Sequence, residues 1–251
     1  LKSNEIKVTT HKVDVADKDQ IAAFAKTVEA EHGAVHALFN NAGVFASGVT
    51  WETSVEEYDW VIGVNQRSVI NGIRSFVPRM IAQGDPCHVV TISSGAGITV
   101  NPGFCSYSMT KHAVLALTEA LYLDLAAQEV KNIGVTIAMP GMSQSGIMSP
   151  EKTAPGSLRD KVEDRKANPV LNALEQLMSA GVAEGLPAAD LARTVCDAVV
   201  ASELYVLPAF SDEESVGLAT AVGVGRATGE NPYPPVLEAF LETLKEIERA
   251  S

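Results

Sequence analysis

The sequence predicts an α/β fold: one doubly wound, Rossmann-like parallel sheet between two helical layers, in a three-layer αβα arrangement. Two observations support this prediction. Short apolar, β-branched segments alternate along the chain with longer segments whose apolar residues recur at helical spacing. Polar residues or glycines directly follow several of the short segments, as they do at the ligand-binding edge of parallel sheets. No internal repeat or linker divides residues 1–251, so a single domain is expected.

Five strands are predicted from the short segments. They span residues 6–15, 35–39, 88–92, 134–139 and 204–207. The first has alternating apolar positions near its end at Asp14-Val15, whereas segments 88–92 (HVVTI) and 134–139 (GVTIAM) have the continuous pattern of buried parallel strands. The second strand closes in the turn Asn40-Asn41-Ala42-Gly43.

Helices are predicted where apolar residues recur every three or four positions. They span residues 20–32, 54–65, 64–83, 106–127, 171–179, 187–202 and 236–249. Asp17 or Asp19 caps the first helix and Gly33 ends it, while Ser54 and Glu57 form a capping box for the second. Residues 143–187, rich in serine, methionine, glycine and charge, are interpreted as a mobile substrate lid, and residues 208–251 as a C-terminal tail.

Composition and charge narrow the function classes. The formal net charge of −12 argues against nucleic acid or an anionic membrane as the main partner. No apolar run reaches the roughly 18 residues of a membrane span, and the first residues lack the apolar core of a secretory signal. The 3 cysteines have no paired spacing, which is typical of reduced thiols in a cytoplasmic protein, and the histidines predict no metal site.

A candidate proton-transfer site lies between Ser94 and Lys111. Tyr107 and Lys111 are one turn apart on one face of a helix, and Ser94 follows a buried strand. The lysine charge favours the phenolate and is therefore expected to lower the pKa of Tyr107, which suits a general acid–base. The pattern Y-x-x-x-K alone is more often a surface tyrosine and lysine, so its interpretation depends on its neighbours. The same sheet edge is expected to receive Asp14, Asn41, Ser94 and Gly141.

Taken in order, these features resemble the short-chain dehydrogenase/reductase family through about residue 205. The matching residues are Asp14-Val15, Asn40-Asn41-Ala42-Gly43, Asn65, Ile92-Ser93-Ser94, Tyr107-x-x-x-Lys111 and Pro140-Gly141. The resemblance implies that Tyr107 is the acid–base, that Ser94 orients the reacting oxygen, and that Lys111 holds the nicotinamide ribose. It implies that Asn65 binds a water that passes the proton outward. The implied cofactor contacts are Asp14, Val15, Asn41, Ala42, Gly43, Tyr107, Lys111, Pro140, Gly141, Ser143 and Ser145.

The resemblance therefore implies an oxidoreductase, dependent on NAD or NADP, that interconverts a secondary alcohol and a ketone on a small, apolar substrate. The choice between NAD and NADP is left open, because the residue that decides it in the family precedes the matched part. The resemblance also implies a homodimer or homotetramer through helices 64–83 and 106–127.

One departure from the family pattern leaves alternatives open. The strand, T-G-x-x-x-G-x-G turn and helix that begin the family are not found in residues 1–251, and the glycines of 223–229 are not interpreted as a replacement. Either the chain starts late or it is a truncated homologue. The alternatives are a non-catalytic dimeric scaffold and a non-redox isomerase or lyase that uses Tyr107.

Overall fold

In the part of the chain that the structure describes, four parallel strands form one sheet between helices, which confirms the predicted fold class. The computed structural model describes residues 8–164 and 167–250. In sheet order the strands are β1 (Ala37–Asn40), β2 (Cys87–Ile92), β3 (Ile133–Ala138) and β4 (Tyr205–Val206). The register pairs Asn40 with Thr91 and Ile92 with Ala138, so the carboxyl ends of the first three strands lie at one edge of the sheet.

Helices flank the sheet on both faces. They are α1 (Lys18–His32), α2 (Val55–Val61), α3 (Ser68–Gln83), α4 (Cys105–Ala127), α5 (Pro150–Thr153), α6 (Arg159–Asp164), α7 (Pro169–Glu184), α8 (Ala188–Ala201), α9 (Glu213–Thr228) and α10 (Pro234–Ala250). On one face α1, α3 and α4 enclose Val89 and Val135, and on the other α8 packs against Val90 and Ala138. These two apolar clusters form the core on either side of the sheet.

Local sequence signals fix the ends of the first two helices. The Asp17 carboxylate accepts hydrogen bonds from two backbone N–H groups in the first turn of α1, at 2.8 and 3.2 Å. Gly33 ends α1 with φ 81°, a conformation that glycine adopts without steric cost. Ser54 and Glu57 form the predicted capping box of α2.

The helices predicted over 54–65 and 64–83 are one continuous element interrupted by a π-helical turn. This turn, Ile62–Arg67, joins α2 to α3. Asn65 lies inside it and is 1% exposed. Isolated π turns within helices are frequent at functional sites, which draws attention to Asn65 independently of any motif.

The first predicted strand is not formed in the part that the structure describes. Residues 6 and 7 lie outside the described residues, and residues 8–15 have no strand pairing. Asp14 O accepts the N–H of Asp17 in a turn at the start of α1, and Val15 O accepts a hydrogen bond from Asn71 Nδ2 at 3.2 Å. An alternating pattern becomes a strand only when a neighbouring strand pairs with its backbone, and none does so here.

The lid and tail segments contain more helix than their composition predicts. Within 143–187 the structure has α5, α6 and the 16-residue α7, which is longer than the predicted 171–179. Asn168 caps α7, and Pro169 occupies its first turn, where its missing N–H costs nothing. In the tail, α9 was missed because of its glycines; Asp212 caps it and Gly229 ends it at φ 81°.

Candidate active site

Three loops that follow parallel strands meet at the carboxyl edge of the sheet. Asn41 and Ala42 follow β1, Ser94 follows β2, and Gly141 follows β3. The loops after β2 and β3 are joined by a hydrogen bond of 3.4 Å from Gly95 N–H to Pro140 O. Asn41, Ala42 and Gly141 are exposed, whereas Ser94 is partly buried. A ligand in front of Ser94 would therefore meet accessible loop residues on both sides.

Tyr107 lies in the first turn of α4, and only 8% of its surface is exposed. Its ring makes edge-to-face contacts with Phe45 and Phe104, at centroid distances of 5.2 and 6.4 Å. Burial raises the pKa of the Tyr107 phenol, and hydrogen bonding from Ser94 opposes that rise. The prediction of a lowered Tyr107 pKa is therefore wrong for this structure, because burial is the largest influence on that pKa and the opposing influence comes from Ser94.

Lys111 is buried one turn further along α4. It is 3% exposed, and its Nζ lies 5.5 Å from the centre of the Tyr107 ring. The ammonium donates a hydrogen bond of 2.9 Å to Ile92 O, and no carboxylate in the described part of the chain forms an ion pair with it. Burial therefore lowers the pKa of Lys111 to about 8.

Asn65 fastens the loop after β1 to the helix that carries Tyr107. Its Oδ1 accepts the N–H of Val44 at 2.8 Å, and its Nδ2 donates to Val44 O at 2.9 Å and to Thr110 Oγ1 at 3.1 Å. The Thr110 hydroxyl in turn donates to Tyr107 O at 2.8 Å. Both amide protons of Asn65 are thus used, so a further ligand at this residue would be held by its oxygen atoms.

Gly43 leaves a gap beside two polar groups of the site. A Cβ added at Gly43 would lie 3.6 Å from both Asn65 Oδ1 and Lys111 Nζ. An amide oxygen and an ammonium on either side of one gap can accept from and donate to hydroxyl groups. The hydrogen-bonding chemistry of these residues is therefore of the kind that sugar hydroxyls, such as those of the nicotinamide ribose of a dinucleotide, require.

Sequence reasoning assigned no role to three residues that hold the candidate catalytic residues in place. They are Ser93, Gly97 and Thr110. The Ser93 hydroxyl donates to Lys111 O at 3.0 Å, and a Cβ at Gly97 would lie 2.6 Å from Ser93 Oγ and 3.0 Å from Lys111 O. The only sequence signal was a run of small residues where the loop after a buried strand meets a helix, and such runs are common.

The structure does not join the remaining predicted residues to Tyr107 or Lys111 by any described contact. The Asp14 carboxylate accepts the N–H of Ala16 in the turn before α1, and the Asp14 N–H donates to Gln20 Oε1 in α1. Ser143 forms an isolated strand-type bridge to the residues just after α7, and Ser145 is exposed. Val15 contacts α3 through its carbonyl oxygen.

Several further features bear on function within residues 8–164 and 167–250. In this part of the chain, no group of three His, Cys, Asp or Glu residues is placed to hold a metal ion. No helix there is long and apolar enough to cross a membrane. The thiols of Cys87, Cys105 and Cys196 are free.

Comparison with known proteins places this geometry among related chains. The model of the short chain dehydrogenase family matches residues 1–155. A C alpha-dehydrogenase from Sphingobium sp. is 34% identical over 206 residues, which cover 80% of this chain and 64% of the relative. A 2-(R)-hydroxypropyl-CoM dehydrogenase from Xanthobacter autotrophicus is 36% identical over 160 residues, covering 62% of each chain. The chain therefore spans less than two thirds of the length of these relatives.

Solved structures agree with the sequence comparisons. A short chain dehydrogenase/reductase from Burkholderia phymatum, in complex with NAD, superposes with a TM-score of 0.80 at 32% identity, covering 88% of this chain and 77% of that one. The apo form of LigO from Sphingobium sp. superposes with a TM-score of 0.66 at 25% identity, covering 99% and 80%.

Proposed function

This chain belongs to the short-chain dehydrogenase/reductase family, and we propose that it is an oxidoreductase, dependent on NAD or NADP, that interconverts a secondary alcohol and a ketone. The observation that carries the proposal is the buried Tyr107, with the Ser94 hydroxyl and the Lys111 ammonium beside it at the ligand edge of the sheet. A phenol and an adjacent hydroxyl suit one substrate oxygen, which must gain or lose a proton as its carbon is reduced or oxidised.

Each residue has a distinct role in this proposal. The raised pKa keeps the Tyr107 phenol protonated at neutral pH, so that it can donate a proton to a ketone oxygen. Lys111, with a pKa of about 8, is mostly protonated at pH 7 and stabilises the phenolate as it forms. Ser94 orients the substrate oxygen, and Asn65 holds the water through which the proton leaves.

A nicotinamide cofactor is part of the proposal. It supplies hydride transfer when bound, and the chain supplies orientation and proton control. Support comes from the NAD complex of the Burkholderia phymatum relative and from the gap beside Gly43. We infer that Lys111 and Tyr107 hold the ribose beside Gly43 and that the other loops of the edge line the cleft. The proposed cleft residues are Asp14, Val15, Asn41, Ala42, Pro140, Gly141, Ser143 and Ser145.

Replacing Tyr107 by Phe tests the proposal. The expected result is that NADH or NADPH still binds, as followed by fluorescence titration, while oxidation of a panel such as 1-phenylethanol and 2-octanol falls by about 10²-fold or more, since acid–base catalysis contributes typically 10²–10⁴-fold. Tyr122→Phe is the matched control, because Tyr122 lies on the same helix and is 47% exposed. Near-normal turnover by Tyr107→Phe would refute the assignment, and wild-type protein that binds neither cofactor would favour the scaffold alternative.

Self-association through α3 and α4 is a further part of the proposal. Exposed apolar side chains on these helices support it: Ile81 is 42%, Met109 43% and Leu123 64% exposed. A dimer or tetramer is expected by light scattering at micromolar concentration, and Leu123→Glu is expected to weaken it, whereas Val200→Glu on α8 is the exposed control. A monomeric wild-type protein would contradict this. The free thiols support the proposed cytoplasmic location.

A further inference from the structure

Helix α7 packs over Tyr107. Leu174 belongs to the same apolar cluster as Phe45, Phe104 and Tyr107, and Met178, one turn further along α7, packs against that cluster. A Cβ at Gly103 would overlap the Leu174 side chain, so the helix approaches the loop before α4 as closely as a glycine permits. A substrate that reaches Tyr107 from this side must therefore displace or pass beneath α7.

The two ends of α7 are held in different ways. Beyond its C-terminal end, Leu186 N–H donates to Met142 O and Leu186 O accepts from Gln144 N–H, both at 2.9 Å. Gly185 lies so close to Met142 O that any side chain at position 185 would overlap it. Directional backbone bonds thus fix this end to the segment after Gly141. The N-terminal half is held on the site mainly by apolar contacts, which do not by themselves fix one position.

One polar contact ties the N-terminal half of α7 to the site. The Ser47 hydroxyl donates a hydrogen bond to Glu175 Oε1. Ser47 is 1% exposed and lies two residues beyond Phe45, whose ring contacts Tyr107. Among the described residues, Glu175 is the one α7 side chain whose hydrogen bond reaches beyond the helix and its cap, to the loop after β1. Hydrogen bonds to a carboxylate are stronger and more directional than neutral ones.

We propose that Ser47 and Glu175 are a specificity-determining pair: their hydrogen bond sets how far α7 closes over Tyr107 and keeps Phe45 against the ring of Tyr107. The pair fixes the position of the N-terminal half of α7, while the backbone bonds of Leu186 to Met142 and Gln144 fix its C-terminal end. The inference about substrate rests on the proposed dehydrogenase function, but the closure itself does not. Bulky substrates are admitted when the pair opens, and small substrates are retained when it is closed.

Amide hydrogen exchange tests the closure directly and needs no substrate. Ser47→Ala and Glu175→Ala are each expected to speed exchange of the amides of residues 171–178 about 10-fold, because each removes one charge-assisted hydrogen bond. The double variant is expected to add little to either single variant, since both remove the same bond. Ser179→Ala and Glu184→Gln are the matched controls, because both residues are exposed on α7, and neither is expected to alter exchange.

Kinetics then test specificity. With 2-octanol and the bulkier 1-phenyl-1-hexanol as substrates, Ser47→Ala is expected to raise KM for the smaller alcohol about 3- to 10-fold and to leave its kcat nearly unchanged, while KM for the larger one falls. The proposed role of the pair would be refuted if amide exchange in Ser47→Ala were unchanged, or if it were faster to the same extent in β2, β3 and α4. If the dehydrogenase proposal is wrong, the wild type will show no turnover, and amide exchange will still test the closure of α7.

Discussion

Replacing Gly97 by Ala tests whether the candidate site depends on the close packing of the loop after β2 against α4. The added Cβ would lie 2.6 Å from Ser93 Oγ and 3.0 Å from Lys111 O. Real Cβ atoms essentially never approach another atom closer than 3.0 Å, so the Ser93 hydroxyl must shift. The backbone of Lys111 must also move away from the loop by a few tenths of an ångström. This movement changes the separation between Ser94 on the loop and Tyr107 on the helix.

The expected loss of stability follows from two contributions. Inserting a methyl group into a packed site typically costs about 1–3 kcal/mol. Moving the loop away also weakens the buried hydrogen bond of 3.0 Å from Ser93 to Lys111 O, which adds about 1–2 kcal/mol. Gly97→Ala should therefore lower the free energy of unfolding by about 2–5 kcal/mol. A displacement of a few tenths of an ångström at Ser94 should lower kcat by about 10-fold, since 1 Å can cost roughly 10²-fold.

Urea unfolding at pH 7 and turnover of a secondary alcohol are the two measurements. Gly217→Ala is the control, because nothing lies within 4 Å of a Cβ there and alanine in α9 should stabilise by roughly 0.5–1 kcal/mol. Adding Ser93→Ala removes the nearer overlap, so the double variant should be less destabilised than the sum of the single variants by about 1–2 kcal/mol. A Gly97→Ala protein with wild-type stability and turnover would show that this close approach is not rigid.

Three other predictions concern buried polar groups. The pKa of Lys111 is about 8 in the folded protein, against an ordinary value of 10.5, so between these pH values the unfolded state binds one more proton than the folded state. The free energy of unfolding of the wild type should therefore rise by roughly 3 kcal/mol, relative to that of Lys111→Met, from pH 8 to 10.5 in urea unfolding. Parallel curves for the two proteins would contradict this. Burial lowers the pKa of His88 below 6.5, so stability should fall as pH decreases below 6.5, and His88→Gln should flatten that slope in the same assay. Thr110→Val should lower the free energy of unfolding by about 1–3 kcal/mol more than Thr118→Val does, because losing the Thr110 hydroxyl leaves an amide proton of Asn65 unpaired. The Thr118 hydroxyl donates only to Val114 O, within α4, so Thr118→Val is the control. Equal losses would show that the bond from Asn65 to Thr110 does not contribute to stability.

The fold was predictable because its determinants are local. The strands at 88–92 and 134–139 are continuous apolar segments, and each begins within one residue of its expected start. Asp17 marks the start of α1, and the carboxylate accepts the bonds that a helix start leaves unpaired. Strand ends in a parallel sheet share one edge, so the meeting of Asn41, Ser94 and Gly141 follows from chain order alone.

What could not be predicted depends on contacts distant in sequence. Residues 8–15 have a strand pattern, but a strand also requires a partner whose position the pattern does not contain. The direction of the Tyr107 pKa depends on burial by Phe45 and Phe104, which is invisible in the spacing of Tyr107 and Lys111. Helix α9 was not predicted because its glycines have a low helix propensity. The helix forms because the rest of the fold buries Val222 completely, and this contact cannot be seen in the local sequence.

The π-helical turn at Ile62–Arg67 restricts how the length of this segment can change. A π turn contains one more residue than the α-helical turn it replaces, so deleting one residue from it would restore a regular helix. The wider turn absorbs that extra residue, so the faces of α2 and α3 would keep nearly the same relative orientation after the deletion. Val61 and Phe76 should therefore stay buried, whereas Asn65, which lies inside the turn, should lose its hydrogen bonds to Val44. A single-residue deletion in this turn should thus affect the candidate site far more than the core of the fold.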